Sequence, residues 1–193
     1  LKCMSPLDEF LDRLYPPLNL IVTGRATDNA IVQKHILVYG GQGESKTSTL
    51  IWLSEEARRR YGPQNVHVCY VQGEDFHRAL EEGWGNGKPI QLLLIDDMTN
   101  VELQEEDLKR FFRIRHIMKE KTGLSEGLCL AAFSTHRIHD ISVSLRSDCD
   151  FILWKSGASN PYDSNMEKQF IGEKGVEQLQ DSEKRRVAEP ERK

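Results

Sequence analysis

Ile36-Leu37-Val38-Tyr39 is a compact apolar run that stops abruptly at Gly40-Gly41-Gln42-Gly43. Beyond the glycines, Leu50, Ile51, Leu53 and Ala57 recur at helical spacing from Lys46 to Tyr61, with Glu55, Glu56 and Arg58-Arg59-Arg60 outside and Gly62-Pro63 closing the helix. A strand that is apolar along its whole length must be covered on both faces, which restricts the fold to a sheet with helices on either side. The rest of the chain supplies that material. Asn65–Val71, Ile90–Ile95, Leu128–Phe133 and Phe151–Trp154 read as further strands, separated by helical stretches at Asp75–Glu82 and Leu103–Lys121. The expected class is therefore α/β, a mainly parallel sheet sandwiched by helices.

Before this pattern, residues 6–14 have helical spacing that ends at Pro16-Pro17, and Leu20-Ile21-Val22 could form a short strand. The expected organisation is an N-terminal extension over 1–34, a core over 35–160, and a C-terminal helix with a charged tail over 161–193. Val176 and Leu179 could dock that helix, while Asp181–Lys193 reads as solvated or disordered.

The 193 residues carry a formal net charge of −4, which argues against a uniformly basic surface and leaves room for a local basic face. Cys3, Cys69, Cys129 and Cys149 show no CxxC spacing, so reduced thiols are expected. The longest apolar run, Leu92–Ile95, is far short of the roughly 18 residues of a membrane span. A soluble, cytoplasmic chain is expected, and Leu1 at the start suggests a piece of something longer.

Gly40-Gly41-Gln42-Gly43-Glu44-Ser45-Lys46-Thr47 matches the phosphate-loop pattern G-x-x-x-x-G-K-[ST] at every fixed position but one, where Ser45 stands for the second glycine. The backbone N–H groups of such a loop, continued at Ser48 by the helix N-terminus, cradle an anion. Lys46 would reach the β- and γ-phosphates and the Thr47 hydroxyl would hold Mg²⁺. Without glycine, position 45 must adopt ordinary helical angles or accept strain. A turn that binds nothing is the bland alternative.

Leu92-Leu93-Leu94-Ile95-Asp96-Asp97 has the form of the strand that carries a magnesium-organising aspartate, here Asp96. Asp97 stands where additional-strand ATPases usually place the glutamate that polarises water; it could instead cap the next turn. At the end of the following strand, Thr135 or His136 could touch the γ-phosphate. ATP is preferred to GTP because no N-K-x-D follows, and Arg58–Arg60 come too early for a kinase lid. The expectation is a RecA-like, additional-strand P-loop NTPase using ATP and Mg²⁺.

Taken in order, Gly40–Thr47, Leu92–Asp97, Ala131–Arg137 and Leu145-Arg146-Ser147-Asp148 resemble the FtsK/HerA superfamily over about residues 35–155, most closely its small viral genome-packaging and archaeal or plasmid ATPases. Glu167–Leu179 is similar to that family's terminal helix. The resemblance implies a homohexameric ring that translocates double-stranded DNA, in the host cytoplasm if viral. It also implies an arginine completing a neighbour's site, Arg146 first and Arg137 second, with an ion pair to Asp148 or Asp150 as the alternative for Arg146. Ser45, Asp97 and His136 depart from the family's glycine, glutamate and glutamine, which questions fast turnover but not binding. A slow nucleotide-dependent switch or a small-molecule kinase are the rival readings.

DNA contact would fall to the basic stretch with Lys109, Arg110, Arg113, Arg115, His116, Lys119 and Lys121, where Lys109, Arg113 and His116 or Lys119 share one helical face. A solvated face is the alternative, and Glu102, Glu105, Glu106 and Asp107 dilute the charge. Trp84, in its glycine-rich loop, could stack on a base or serve as a partly buried anchor.

Overall fold

A computed structural model describes residues 5–17, 30–155 and 161–188. Its elements are α1 (Pro6–Leu14), β1 (Ala30–Tyr39), α2 (Lys46–Tyr61), β2 (Val66–Gln72), α3 (Phe76–Glu82) and β3 (Ile90–Asp96). They continue as α4 (Glu105–Phe111), α5 (Ile114–Thr122), β4 (Glu126–Thr135), α6 (Val143–Ser147), β5 (Phe151–Trp154) and α7 (Pro161–Ala188). The proposed strand at Leu20–Val22 lies outside the described residues.

All five strands are parallel, in the order β2-β3-β4-β1-β5. β4 is thus the additional strand between β1 and β3. Alternation along each strand divides the interior into two cores. Ile36 and Val38 of β1, Leu92 and Leu94 of β3 and Leu128, Leu130 and Ala132 of β4 meet Leu50, Leu53 and Ala57 of α2, with Leu11 and Leu14 of α1. On the opposite face, Leu37 and Tyr39, Leu93 and Ile95, and Cys129, Ala131 and Phe133 meet α3, α4 and α5 through Phe76, Phe111, Ile114 and Met118. The sheet is therefore the middle layer of an α/β sandwich. β3 is buried at all seven positions, Gln91 and Asp96 included, as a strand covered on both faces requires.

This topology fixes where a ligand site opens. From β1 the chain crosses one face through α2 to the far edge at β2, whereas from β4 it crosses the other face to β5. Neighbouring strands that send their chains to opposite faces leave a crevice at their C-terminal ends, and open α/β sheets bind ligands there.

Three expectations change. The charged stretch Leu103–Lys121 is two helices, broken at Phe112 and Arg113, where Arg113 has φ −112° and ψ 22°. β1 begins six residues before its apolar run, because Gln33, Lys34 and His35 pair with β4 and find polar partners at its edge: Gln33 donates to the Phe112 carbonyl and His35 meets Asp148. The tail is helical as far as Ala188, with a break at Gly172 (φ 71°, ψ 171°), where the backbone enters a region open to glycine. Cys69, Cys129 and Cys149 are free thiols, and Cys3 lies outside the described residues. No helix of the described residues is long and apolar enough to cross a membrane.

Candidate functional site

The loop Gly40–Ser45 leaves the C-terminal end of β1 and enters α2, whose first residues are Lys46, Thr47 and Ser48. Gly43 (φ 78°) takes a left-handed conformation that glycine adopts without cost. Ser45 does so too, at φ 57° and ψ 32°, and its side chain makes no capping hydrogen bond to the helix. Of the two conformations open to a non-glycine at this position, the chain uses the strained one, held by the backbone and side-chain hydrogen bonds that Thr49 donates to the Ser45 carbonyl, 3.0 and 3.1 Å.

Lys46 lies under its own loop with 5% exposure. Its ammonium donates to the carbonyl oxygens of Gly40 (2.8 Å) and Gly41 (2.7 Å) and to His136 Nδ1 (2.8 Å). Burial draws the Lys46 pKa below its ordinary value, and the nearby carboxylates of Asp97, Asp96 and Glu44 oppose that drift. Because an ammonium can only donate, Nδ1 must be the acceptor nitrogen of His136. The imidazole proton then sits on Nε2, which faces Asp97 Oδ2 at 3.6 Å.

Asp96 ends β3 and gathers hydroxyl groups from three elements. Ser134 Oγ of β4 donates to Oδ1 at 2.5 Å, while Thr47 Oγ1 of α2 and Tyr70 OH of β2 donate to Oδ2 at 2.5 and 2.6 Å. Burial pushes the Asp96 carboxyl up, but these hydroxyl donors outweigh it and leave the group ionised below its usual range. The Tyr70 phenol moves the other way, pushed up to about 12 by burial and by its bond to Asp96. A threonine hydroxyl beside an ionised carboxylate is a hard oxygen donor pair, the chemistry that suits Mg²⁺ with its remaining positions filled by water and phosphate. The residues present therefore fit that ion, with Thr47 and Asp96 to hold it.

Asp97 adopts φ 56°, and its Oδ1 accepts a hydrogen bond from the Thr99 backbone N–H (3.1 Å), so one carboxylate oxygen caps the turn. Its backbone N–H donates to Ser134 Oγ at 2.9 Å, and its side chain is about half exposed. Gly73, beyond β2, explains part of this placement: a Cβ there would collide with the Asp97 carbonyl oxygen.

The two residues at the end of β4 separate. Thr135 is wholly buried, and its hydroxyl donates to the Arg137 carbonyl while accepting from the Arg137 N–H. Its carbonyl accepts from the Gly40 N–H at the start of the loop, at 3.4 Å, so the Thr135 backbone is what meets the loop. His136 faces it too, held by a 3.0 Å bond from its backbone N–H to Thr99 Oγ1.

Arg146 is placed differently from the expectation of an arginine reaching a neighbouring subunit. It is 5% exposed, donates to the Ile138 carbonyl at 2.9 Å, and lies 5.3 Å from the centre of the Phe170 ring, under α7. The carboxylates of the alternative reading have other partners: Asp148 meets His35 Nδ1 at 2.6 Å and Asp150 meets Lys34 at 3.4 Å. Arg137, by contrast, is exposed beside His136. Trp84 is an anchor: its indole N–H donates to the Leu80 carbonyl at 2.8 Å.

One further surface borders this arrangement and another lies away from it. A largely apolar cavity of about 710 Å³ opens beside Ser45 and Ser48, walled by Phe10, Trp52 and Trp154. Far along the helices of the opposite face, Lys109, Arg113 and His116 line one groove together with Glu81, Glu106 and Glu120. Several of the expected basic residues there are matched: Arg110 and Lys121 pair with Glu81, and Lys109 pairs with Glu105.

No protein-family model matches the chain, and no curated protein matches it. Solved structures do. A point variant of Thermotoga maritima RuvB aligns at 19% identity and TM-score 0.45, over 78% of this chain and 44% of that one. The Aeropyrum pernix ORC1 protein in complex with DNA aligns at 16% identity and TM-score 0.46, over 88% and 50%. The E. coli MS115-1 HORMA:CdnC:Trip13 complex aligns at 18% identity and TM-score 0.45, over 91% and 71%. The alignments thus take in about half the length of the RuvB and ORC1 chains.

Tyr70, Thr99, Ser134 and Gly73 belong to this site without having been singled out for it from sequence. Ser134 stands beside the two residues considered for the γ-phosphate, at the same strand end. Tyr70 and Gly73 reach Asp96 and Asp97 only because β2 lies beside β3, with Gln72 opposite Asp96.

Proposed function

We propose that the chain binds Mg²⁺·ATP and hydrolyses it. The observation that carries this reading is the meeting of Thr47 and Asp96 at 2.5 Å beside the buried ammonium of Lys46, at the mouth of the crevice. Lys46, now bonded to two loop carbonyls, exchanges them for phosphate oxygens, and the loop N–H groups complete the cradle. The nucleoside lies in the apolar cavity beside Ser48. Mg²⁺ held by Thr47 and Asp96 would neutralise charge on the phosphates. His136 stands at the γ-phosphate, and the Asp97 oxygen that does not cap the turn accepts the proton of the attacking water.

The order of motifs points to a motor only through the family it resembles, and the assembly we infer on that ground is a hexameric ring of the FtsK/HerA type acting on double-stranded DNA. Arg137, the exposed arginine next to His136, takes the role of crossing to a neighbouring subunit in place of Arg146. One observation favours slow turnover in the isolated chain, as in a nucleotide-dependent switch: Asp97 is one methylene shorter than glutamate, and one of its oxygens caps the Thr99 turn.

The test is ATP turnover measured with and without double-stranded DNA, beside light scattering for assembly. The proposal expects turnover that Lys46→Ala abolishes, stimulation by DNA, and a large assembly with nucleotide. Turnover unaffected by DNA at low salt, from a monomer at micromolar concentration, rejects the motor; no nucleotide binding at all rejects the site.

A further inference from the structure

Asp96 has more donors than a magnesium-organising aspartate can keep. A carboxylate oxygen offers two lone-pair positions, and both of those on Oδ2 are taken, by Thr47 and by Tyr70. Oδ1 is turned the other way, toward Ser134, which has no exposed surface. A metal ion on the Thr47 oxygen would bring its water ligands to the Oδ2 side of the carboxylate. One donor to Oδ2 must then leave. Thr47 can bind a metal through an oxygen lone pair and still donate its proton to Asp96. Tyr70 has no part in the loop: its phenol comes from β2, beside the Thr47 hydroxyl, and occupies the position on Oδ2 that a water ligand of the metal would need.

Tyr70 is also the donor that is free to leave. It stands on the edge strand of the sheet with 41% of its surface exposed, and swinging its ring outward breaks no packing in either core. Ser134, by contrast, is locked by the Asp97 N–H behind it.

We propose that the Tyr70 hydroxyl is a displaceable latch on Asp96, competing with Mg²⁺-bound water for Oδ2, so that filling the site with Mg²⁺·nucleotide releases Tyr70 toward solvent at the sheet edge. The inference rests on the reading of Thr47 and Asp96 as the magnesium site. In the latched state the phenol satisfies a carboxylate that would otherwise sit desolvated and under-bonded; in the released state the metal's water takes its place. Metal loading is thereby tied to the position of a side chain on β2, an element outside the loop and its helix.

The experiment is equilibrium binding of a fluorescent ADP analogue to the full chain, titrated with Mg²⁺, for the wild type and Tyr70→Phe. Phenylalanine keeps the ring and removes only the competing hydroxyl. Half-saturation in Mg²⁺ is expected to fall about threefold to tenfold in Tyr70→Phe, the range for losing one partly exposed charge-assisted hydrogen bond, with binding of the analogue in EDTA as the reference for each protein. A second measurement uses 3-fluorotyrosine placed at position 70: its ¹⁹F resonance is expected to move on addition of Mg²⁺·ADP and to stay in place with ADP and EDTA. An unchanged or raised Mg²⁺ requirement in a folded Tyr70→Phe chain, or a static resonance, overturns the latch while leaving nucleotide binding intact. Failure of the wild type to bind nucleotide overturns the site reading, and the latch with it.

Discussion

Replacing Ser45 by glycine is expected to stabilise the protein. The residue sits at φ 57° and ψ 32°, where the Cβ of an L-residue crowds the following carbonyl at a cost of about 1–2 kcal/mol. Its hydroxyl makes no capping bond that would offset the strain, and the bonds from Thr49 reach the backbone carbonyl, which glycine keeps. Against the relief stands the greater freedom of glycine in the unfolded chain, about 0.5–1 kcal/mol. The difference leaves roughly 0.5–1 kcal/mol in favour of Ser45→Gly, or about 1–4 °C in melting temperature for a chain of this size. Ser45→Ala isolates the cause, because alanine keeps the Cβ and removes only the hydroxyl; it is expected within about 0.5 kcal/mol of wild type. Urea denaturation and thermal melting of the three proteins decide it. A destabilised Ser45→Gly, or an alanine variant as stabilised as glycine, would refute the claim that backbone strain at this position is unrelieved.

Gly73→Ala drives a methyl group into the Asp97 carbonyl, so turnover should fall by on the order of 100-fold, as a displacement of about 1 Å can cause, while analogue binding holds; parallel kinetics and titration check this. Arg146→Ala should destabilise by about 2–3 kcal/mol through the lost charge-assisted bond to Ile138 and the lost contact with Phe170, measured by urea denaturation. The acid limb of stability should carry a contribution from Glu56, whose carboxyl the Arg59 guanidinium, then Arg60, holds down at about 2 against the opposing effect of burial. A folded value below the unfolded one of about 4.3 means this contribution is complete above that pH and is lost as pH falls toward 2; Glu56→Gln should flatten the denaturation profile across that window.

The sheet was legible because its strands are almost continuously apolar, and five such runs between helical stretches admit few arrangements. The loop and the two carboxylates were legible because their spacing along one chain segment determines their chemistry. What sequence could not carry was adjacency between segments. Tyr70 meets Asp96 only through the pairing of β2 with β3, and Arg146 is buried only because α7 lays Met166 and Phe170 over it. The choice between Thr135 and His136 turned on a local bond, the Thr135 hydroxyl closing on the Arg137 backbone, which leaves the imidazole as the group that faces Lys46. The break at Arg113 was hidden because Leu108, Phe111, Ile114 and Met118 keep helical spacing straight across it, so the apolar stripe shows no interruption that would mark a helix end.

The cover that α7 provides has a practical side. Its residues from Met166 to Phe170 wrap a guanidinium that has no place in the solvent-facing surface, so a truncation placed before Met166, unlike one that removes only the charged end from Asp181, would bare the cation. A protein cut there would hold on to polyanions through an arginine that the intact chain keeps covered, and its retention on a DNA column would report the cut.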